Sequence, residues 1–134
     1  MKTAKKRVIA PSEHFSGFIA EYEKSPYALF GFPFDATSTY RLGSRFGPRE
    51  IRKASLNIET YSFRTGLYLE DLPICDLGDI RITKSLTDTL GHVSSLASEI
   101  LRDGKTLAVI GGEHTVTLGI LAALPPDVVI VSLD

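Results

Sequence analysis

The sequence predicts an α/β fold in which a mostly parallel sheet has helices on both faces. Short apolar runs of strand length alternate along the chain with longer segments whose apolar residues recur at helical spacing. Because parallel strands must be joined by crossovers, this alternation is typical of βαβ units. The chain has 134 residues, of which 43% are hydrophobic and 23% are charged. It can therefore bury one globular core, and we expect residues 1–134 to belong to a single domain.

The first half of the chain contains one clear strand and one short helix. Residues 1–25 are polar and irregular, whereas Tyr27–Phe34 is an aromatic and aliphatic run that predicts a buried strand. Ala36–Gly47 shows no periodicity and is expected to be a loop. Pro48 is well placed to begin a helix, and Tyr61–Leu69 is compatible with a strand or with one arm of a hairpin.

The second half alternates strands and helices more regularly. In chain order, the pattern predicts a strand at Leu72–Asp76, a helix at Ser85–Arg102, a strand at Thr106–Ile110, a helix at Thr115–Leu124 and a strand at Val128–Leu133. The last strand is apolar enough to be buried on both faces, so a domain that finished there would leave an apolar edge uncovered. We therefore expect the sequence to be a truncated piece of a longer chain.

Composition and charge exclude several classes of protein. With 15 basic and 16 acidic side chains, the chain has no electrostatic reason to bind nucleic acid. No apolar run approaches the roughly 18–20 residues that cross a membrane, and the N-terminus is a poor signal peptide. The single cysteine, Cys75, cannot form an internal disulfide and is expected to be inert core, which fits a cytoplasmic location.

Polar side chains follow the predicted strands, where ligands of parallel sheets usually bind. They are Asp35, Asp76 with Asp79, His114 and Asp134. The sharpest group is Gly111-Gly112-Glu113-His114, because paired glycines allow a tight turn and the imidazole follows directly. An imidazole and carboxylates at one sheet edge predict a site for a divalent first-row metal ion.

The same residues also have structural interpretations. A histidine at a helix start is often a solvated neighbour of the cap, and an aspartate after a strand is often a cap or turn residue. Asp76 and Asp79, on either side of Leu77-Gly78, are compatible with a simple turn. His92 is expected on a helix surface. A phosphate loop is excluded, because no Lys-Ser/Thr follows the glycines.

Four stretches of sequence carry motifs that occur together in one known family. They are GFPFDATSTYRLGSRFGPREIRKAS at 31–55, LPICDLGDI at 72–80, IGGEHTVTLG at 110–119 and VVIVSLD at 128–134. Their order and wording resemble the ureohydrolase (arginase/agmatinase) family, most of all its agmatinase branch. The resemblance covers the chain from about Phe30 onward and identifies residues 1–134 as the N-terminal part of one ureohydrolase domain.

The resemblance implies a three-layer α/β/α fold and an enzyme with two Mn²⁺ ions per active site. The reaction implied is hydrolysis of a guanidino compound, which for agmatine yields putrescine and urea. The resemblance also implies that the enzyme is a homo-oligomer. His114 is implied as a ligand of one manganese ion and Asp134 as a ligand that bridges both, whereas Glu113 is implied as a supporting or helix-start residue. These are two of six expected ligands, so the 134-residue chain alone is expected to be inactive.

Two alternatives remain at this stage. One is a sibling ureohydrolase that acts on arginine, guanidinobutyrate or formiminoglutamate. The other is a non-catalytic ligand-binding or receiver-like α/β domain, although Phe34-Asp35 lacks the acidic pair of a receiver. If Thr106–Ile110 and Val128–Leu133 are neighbouring parallel strands, their carboxyl ends bring His114 and Asp134 together at one sheet edge. Asp35 and Asp76 should then lie at the same sheet edge, farther out.

Overall fold

One four-stranded sheet with helices packed against it forms the fold in the computed structural model, which describes residues 6–131 and residue 133. The strands are β1 (Val8–Ile9), β2 (Tyr27–Phe32), β3 (Tyr61–Ser62), β4 (Leu67–Tyr68), β5 (Ile74–Ile80) and β6 (Thr106–Gly111). The helices are α1 (Gly47–Ser55), α2 (Leu86–Arg102) and α3 (Val116–Leu121). No helix in this described part of the chain is long and apolar enough to cross a membrane.

The main sheet has the strand order β1-β5-β2-β6. β2 pairs in parallel with β5 on one side and with β6 on the other, and only the short β1 at the edge is antiparallel. The prediction of a mostly parallel sheet is therefore confirmed. Since parallel strands bring their carboxyl ends to one edge, the segments that follow β2 and β6 emerge side by side. β3 and β4 form a separate hairpin, one of the two structures compatible with Tyr61–Leu69.

Helices lie on both faces of the sheet, which gives the three-layer α/β/α arrangement. Phe30 and Phe32 on β2 are fully buried in an apolar cluster that includes Leu96 of α2. Gly31 lies between them and so faces the other side of the sheet, where a Cβ atom would lie 2.8 Å from the side chain of Pro48 in α1. This glycine lets α1 pack closely on the sheet.

The predicted boundaries of α2 agree with the structure. Ser85 is the N-cap, and its hydroxyl accepts a hydrogen bond of 3.2 Å from the backbone N–H of Asp88. At the other end, Gly104 adopts a φ of +72° and donates its N–H to the carbonyl of Leu101 at 3.0 Å. The left-handed backbone conformation at this position favours glycine and stops the helix.

The prediction for β5 was wrong in its end and in the turn that it allowed. Leu72–Asp76 was expected to end before a turn, but β5 continues to Ile80. It does so because it has a strand on each side: β2 pairs with it along most of its length, and Val8 of β1 lies opposite Ile80. Backbone pairing with these neighbours continues along β5 past Asp76 and Asp79. Conversely, β2 ends at Phe32, two residues earlier than predicted.

The prediction of a strand at Val128–Leu133 was also wrong for the residues that the structure describes. Residues 128–131 form no strand and are exposed, with Val129 at 85% and Val131 at 77%. Within the described residues β6 pairs with β2 alone, so the expected pairing of Thr106–Ile110 with this segment does not form. An apolar pattern gives β structure only where a neighbouring strand accepts its hydrogen bonds. Ser132 and Asp134 lie outside the described residues.

Candidate metal centre at the carboxyl edge of the sheet

The glycine-rich loop after β6 lies directly against the end of β2. The backbone N–H of Gly112 donates to the carbonyl of Phe32 at 2.8 Å, and that of Glu113 donates to the carbonyl of Phe34 at 3.1 Å. A Cβ atom on Gly112 would collide with the backbone of Phe34. Glycine is thus required for this close approach, which places His114 at the same edge as Asp35, as predicted.

His114 is exposed and lines an open cleft of about 500 Å³. The walls are the loop after β2 and the loop after β6, through Thr37, Ser38, Thr39, Tyr40, Arg41, Ser44, Gly112, Glu113 and Thr115. The imidazole makes no hydrogen bond to any other described residue, so within this part of the chain both ring nitrogens are available to a ligand. A neutral imidazole of this kind is a suitable donor for a first-row metal ion.

The described residues alone do not complete a metal centre. They contain no group of three or more His, Cys, Asp or Glu side chains that could hold an ion. Of the two predicted ligands, His114 is at the expected edge, and Asp134 lies outside the described residues. The chemistry of His114 fits Mn²⁺, but one imidazole does not retain it, so the predicted pairing of these two residues stays a prediction.

The carboxylate of Glu113 joins the two loops of the cleft. Its Oε1 accepts hydrogen bonds from the hydroxyls of Thr37 and Thr115, the latter at 2.7 Å, and its Oε2 accepts one from Ser38 at 2.9 Å. Burial acts to raise the pKa of Glu113, but the hydrogen bonds from Thr37, Thr115 and Ser38 outweigh it and hold that pKa below its ordinary value. Glu113 is thus an ionised group that supports the loop of His114.

Sequence reasoning missed Thr37 and Ser38. The run Ala-Thr-Ser-Thr at 36–39 stands in the matched motif at 31–55, but hydroxyl residues in a loop have many uses. Only the approach of the loop after β6 shows that these two hydroxyls share one carboxylate.

Asp35 holds the loop that borders the cleft. Its buried carboxylate, 3% exposed, accepts hydrogen bonds from the backbone N–H of Gly43 at 2.7 Å and from the Nη1 of Arg45 at 3.2 Å. Desolvation acts to raise the pKa of Asp35, but the N–H groups of Gly43 and Arg45 and the charge of Arg45 lower it below its ordinary value. Both oxygens are engaged, so Asp35 shapes the loop.

Asp76 does not lie at the carboxyl edge, contrary to the prediction. It pairs with Leu29 in the middle of β5 and β2. Its oxygens accept from the Nε and Nη2 of Arg52 at 2.7 and 3.0 Å, and the Nη1 of Arg52 also donates to Asp79 at 2.6 Å. Burial acts to lower the pKa of Arg52, but the two carboxylates outweigh it and keep this pKa above its ordinary value. Arg52 of α1 thus pairs with both aspartates of β5, and Asp76, with both of its oxygens engaged, has none free for a metal ion.

The remaining candidates are structural, as expected. Cys75 is buried in β5, and burial raises the pKa of its thiol. His92 lies on α2 with its Nδ1 3.3 Å from the carbonyl oxygen of Arg81, well separated in the chain from the cleft residues.

Comparisons with known proteins extend the resemblance beyond its motifs. A family model described as the arginase family matches residues 25–134. The N(1)-aminopropylagmatine ureohydrolase of Thermococcus kodakarensis is 40% identical over 111 residues, which are 81% of this chain and 38% of that protein. The agmatinase of Halalkalibacterium halodurans is 37% identical over 119 residues, which are 86% of this chain and 41% of that protein.

A solved structure has the same arrangement. The agmatine ureohydrolase of Thermoplasma volcanium matches with a TM-score of 0.81 and 34% identity, over 96% of this chain and 43% of that one. This chain therefore spans about two fifths of the length of the relatives it matches.

Proposed function

This chain belongs to the arginase family, and we propose that it is the N-terminal part of a ureohydrolase that hydrolyses a guanidino compound, specifically agmatine to putrescine and urea. The observation that carries the proposal is the position of His114. The imidazole stands exposed in an open cleft at the carboxyl edge of β2 and β6, with no protein partner among the described residues. One of the two relatives and the matched structure are named ureohydrolases, and the other relative is named an agmatinase.

The proposed cofactor is a pair of Mn²⁺ ions, for which His114 and Asp134 would serve as ligands. Imidazole and carboxylate donors suit this ion, and the other expected ligands belong to the rest of the proposed longer protein. When bound, such ions would lower the pKa of a water molecule, which is the activation that hydrolysis at a weakly electrophilic guanidinium carbon requires.

The described residues contribute the support of one half of this site. Glu113 ties the loop of His114 to the loop after β2, and Asp35 fixes the far end of that second loop through Gly43 and Arg45. The loop at 37–41 forms one wall of the cleft and would border the substrate. These contacts hold the wall and the imidazole in a fixed relation before substrate arrives.

A homo-oligomer in the cytoplasm, with a place in polyamine biosynthesis, completes the proposal. Exposed aromatic side chains on two loops support self-assembly, since Tyr40 is 85% and Phe63 is 91% exposed. The single cysteine, Cys75, supports a reducing compartment. Putrescine, the product of agmatine hydrolysis, is itself a polyamine precursor.

Urea release by the full-length protein tests the function. With Mn²⁺ present, we expect turnover of agmatine at about 1 s⁻¹ or more, within the usual range of enzymes. N(1)-aminopropylagmatine, arginine, guanidinobutyrate and formiminoglutamate are assayed in parallel, and faster turnover of one of them would assign the chain to a sibling activity. No urea from any of these substrates would contradict the proposal.

The isolated 134-residue chain is the companion test. We expect it to release no urea, because two ligands do not hold a binuclear site. Turnover of agmatine by this chain near 1 s⁻¹ would show that the missing ligands are not needed.

A further inference from the structure

We propose that Glu113 is a positioning residue for the metal site, because its carboxylate sets the place of His114 by clamping the loop after β6 to the loop after β2. This inference rests on the proposed function, in which His114 binds manganese. Glu113 itself touches neither metal nor substrate in this assignment.

The clamp consists of three hydroxyls around one carboxylate. Thr37 and Ser38 donate from the loop after β2, one to each oxygen of Glu113, and Thr115 donates from the loop of His114 itself. The hydroxyls of Thr37 and Thr115 also lie 3.2 Å apart. Two of the three donors are more than 70 positions away in sequence, so the carboxylate joins separate loops and is more than a local cap of α3.

Backbone hydrogen bonds do not extend the connection to His114. The last backbone contact between the two loops is from the N–H of Glu113 to Phe34. The next ones, from Val116 to Glu113 and from Thr117 to His114, stay within the loop and α3. Within the described residues, side chains alone join the two loops next to His114, through the carboxylate of Glu113 and the contact between the hydroxyls of Thr37 and Thr115.

A carboxylate suits this task better than the neutral amide of the same shape. Ionised Glu113 has two oxygens that only accept, and three hydroxyls donate to them. A glutamine has one acceptor oxygen, and its NH₂ group would face hydroxyls that already point inward. Glu113→Gln therefore replaces one acceptor oxygen of the clamp with an NH₂ donor, with almost no change in volume.

The test uses the full-length protein and two readouts. The affinity for Mn²⁺ is measured by titration with electron paramagnetic resonance of the free ion, and the melting temperature is measured without metal. We expect Glu113→Gln to weaken Mn²⁺ binding by about 10-fold or more, in the range known for residues that orient metal ligands. Glu113→Asp keeps the charge and should recover most of the affinity.

Two further variants separate positioning from stability. Thr37→Val combined with Ser38→Ala removes the clamp from the opposite loop, leaves Glu113 in place and should weaken Mn²⁺ binding to a similar extent. The matched control is Glu70→Gln, because Glu70 accepts from the hydroxyl of Thr60 at 2.8 Å in the hairpin region, away from the cleft. The control should change neither readout.

The outcomes distinguish this inference from the function on which it rests. A wild-type protein that binds no Mn²⁺ and releases no urea would overturn both. Wild-type binding with unchanged affinity in Glu113→Gln and in the Thr37/Ser38 variant would overturn the role of Glu113 alone. A lower melting temperature with unchanged affinity would also overturn it, since that is what a merely structural residue predicts. If Glu113→Gln does not fold, the Thr37/Ser38 variant decides.

Discussion

The polar and charged side chains near β5 and those near β6, on opposite sides of the central strand β2, differ in how many partners they have. On the β5 side, the buried guanidinium of Arg52 satisfies Asp76 and Asp79, and strands flank β5 on both edges. On the β6 side, β6 pairs with one strand among the described residues, and His114 faces an open cleft without a partner. We infer from this difference that the charged groups near β5 stabilise the fold, whereas His114 near β6 is available to bind a ligand.

Saturation is what makes the β5 side structural. Asp76 has both oxygens engaged by Arg52 and accepts two backbone N–H groups as well, from Phe15 and Gly78. Such a carboxylate has no lone pair to offer a metal without giving up a buried ion pair. The imidazole of His114, on the β6 side, would break no hydrogen bond to another described residue on binding a metal ion. A carboxylate that a buried arginine already holds in this way is therefore a poor candidate for metal binding.

Arg52→Met should have the largest effect and tests the closed side. It keeps most of the side-chain volume but leaves Asp76 buried without its cation, so we expect a loss of about 3–5 kcal/mol in the free energy of unfolding. Denaturant unfolding monitored by circular dichroism measures this. The matched control is Arg49→Met, since Arg49 forms an exposed pair with Glu50 at 3.8 Å and should cost about 1 kcal/mol or less. Equal losses of stability in the two variants would show that the buried ion pair of Arg52 contributes no more than an exposed one.

His114→Ala tests the open side. We expect urea release by the full-length protein to fall by about 100-fold or more, beyond the effect of changing a residue that only orients a ligand, and retained Mn²⁺ to fall with it. The free energy of unfolding without metal should hardly change, because this side chain is exposed and makes no hydrogen bond to another described residue. His92→Ala on α2 is the control and should keep activity and metal. Full activity in His114→Ala would refute its assignment as a ligand.

The sequence predicts those parts of the fold that depend on local pattern. The limits of α2 follow from Ser85 and Gly104, and the parallel order follows from the alternation of elements. β5 was predicted too short because its continuation past Asp76 depends on pairing with β1 and on charge compensation by Arg52. Neither is visible in a window of neighbouring residues.

The candidate site was predicted in part for the same reason. Gly112 and His114 belong to one short motif, so the motif alone places them at the carboxyl edge. The hydroxyls of Thr37 and Ser38 are more than 70 positions from Glu113, and only the fold brings them together. Val128–Leu133 has the composition of a strand, but composition does not supply the neighbour that a strand needs.

Self-association of the 134-residue chain tests whether the β6 side is open, as the comparison with the β5 side indicates. Val129 and Val131 are largely exposed, and the β6 edge of the sheet is unpaired among the described residues. We expect the chain to elute above 14.6 kDa in sizing chromatography, because open strand edges and apolar segments associate. Changing both valines to lysine should shift it toward the monomer. A stable monomer with a cooperative melt would contradict this expectation.

Asp35 gives the smallest effect, confined to acid pH. Its pKa is lower in the folded protein than in the unfolded chain, so its contribution to stability is complete above the unfolded pKa of about 4 and is lost as the pH falls through the folded value. Asp35→Asn should therefore destabilise the protein at neutral pH, with the difference from wild type shrinking below about pH 4. Asp71→Asn, at an exposed carboxyl, is the control and should leave the fall in stability at acid pH as it is in the wild type. A pH-independent difference for Asp35→Asn would show that shape alone, and not the charge that Gly43 and Arg45 stabilise, holds the loop beside the cleft.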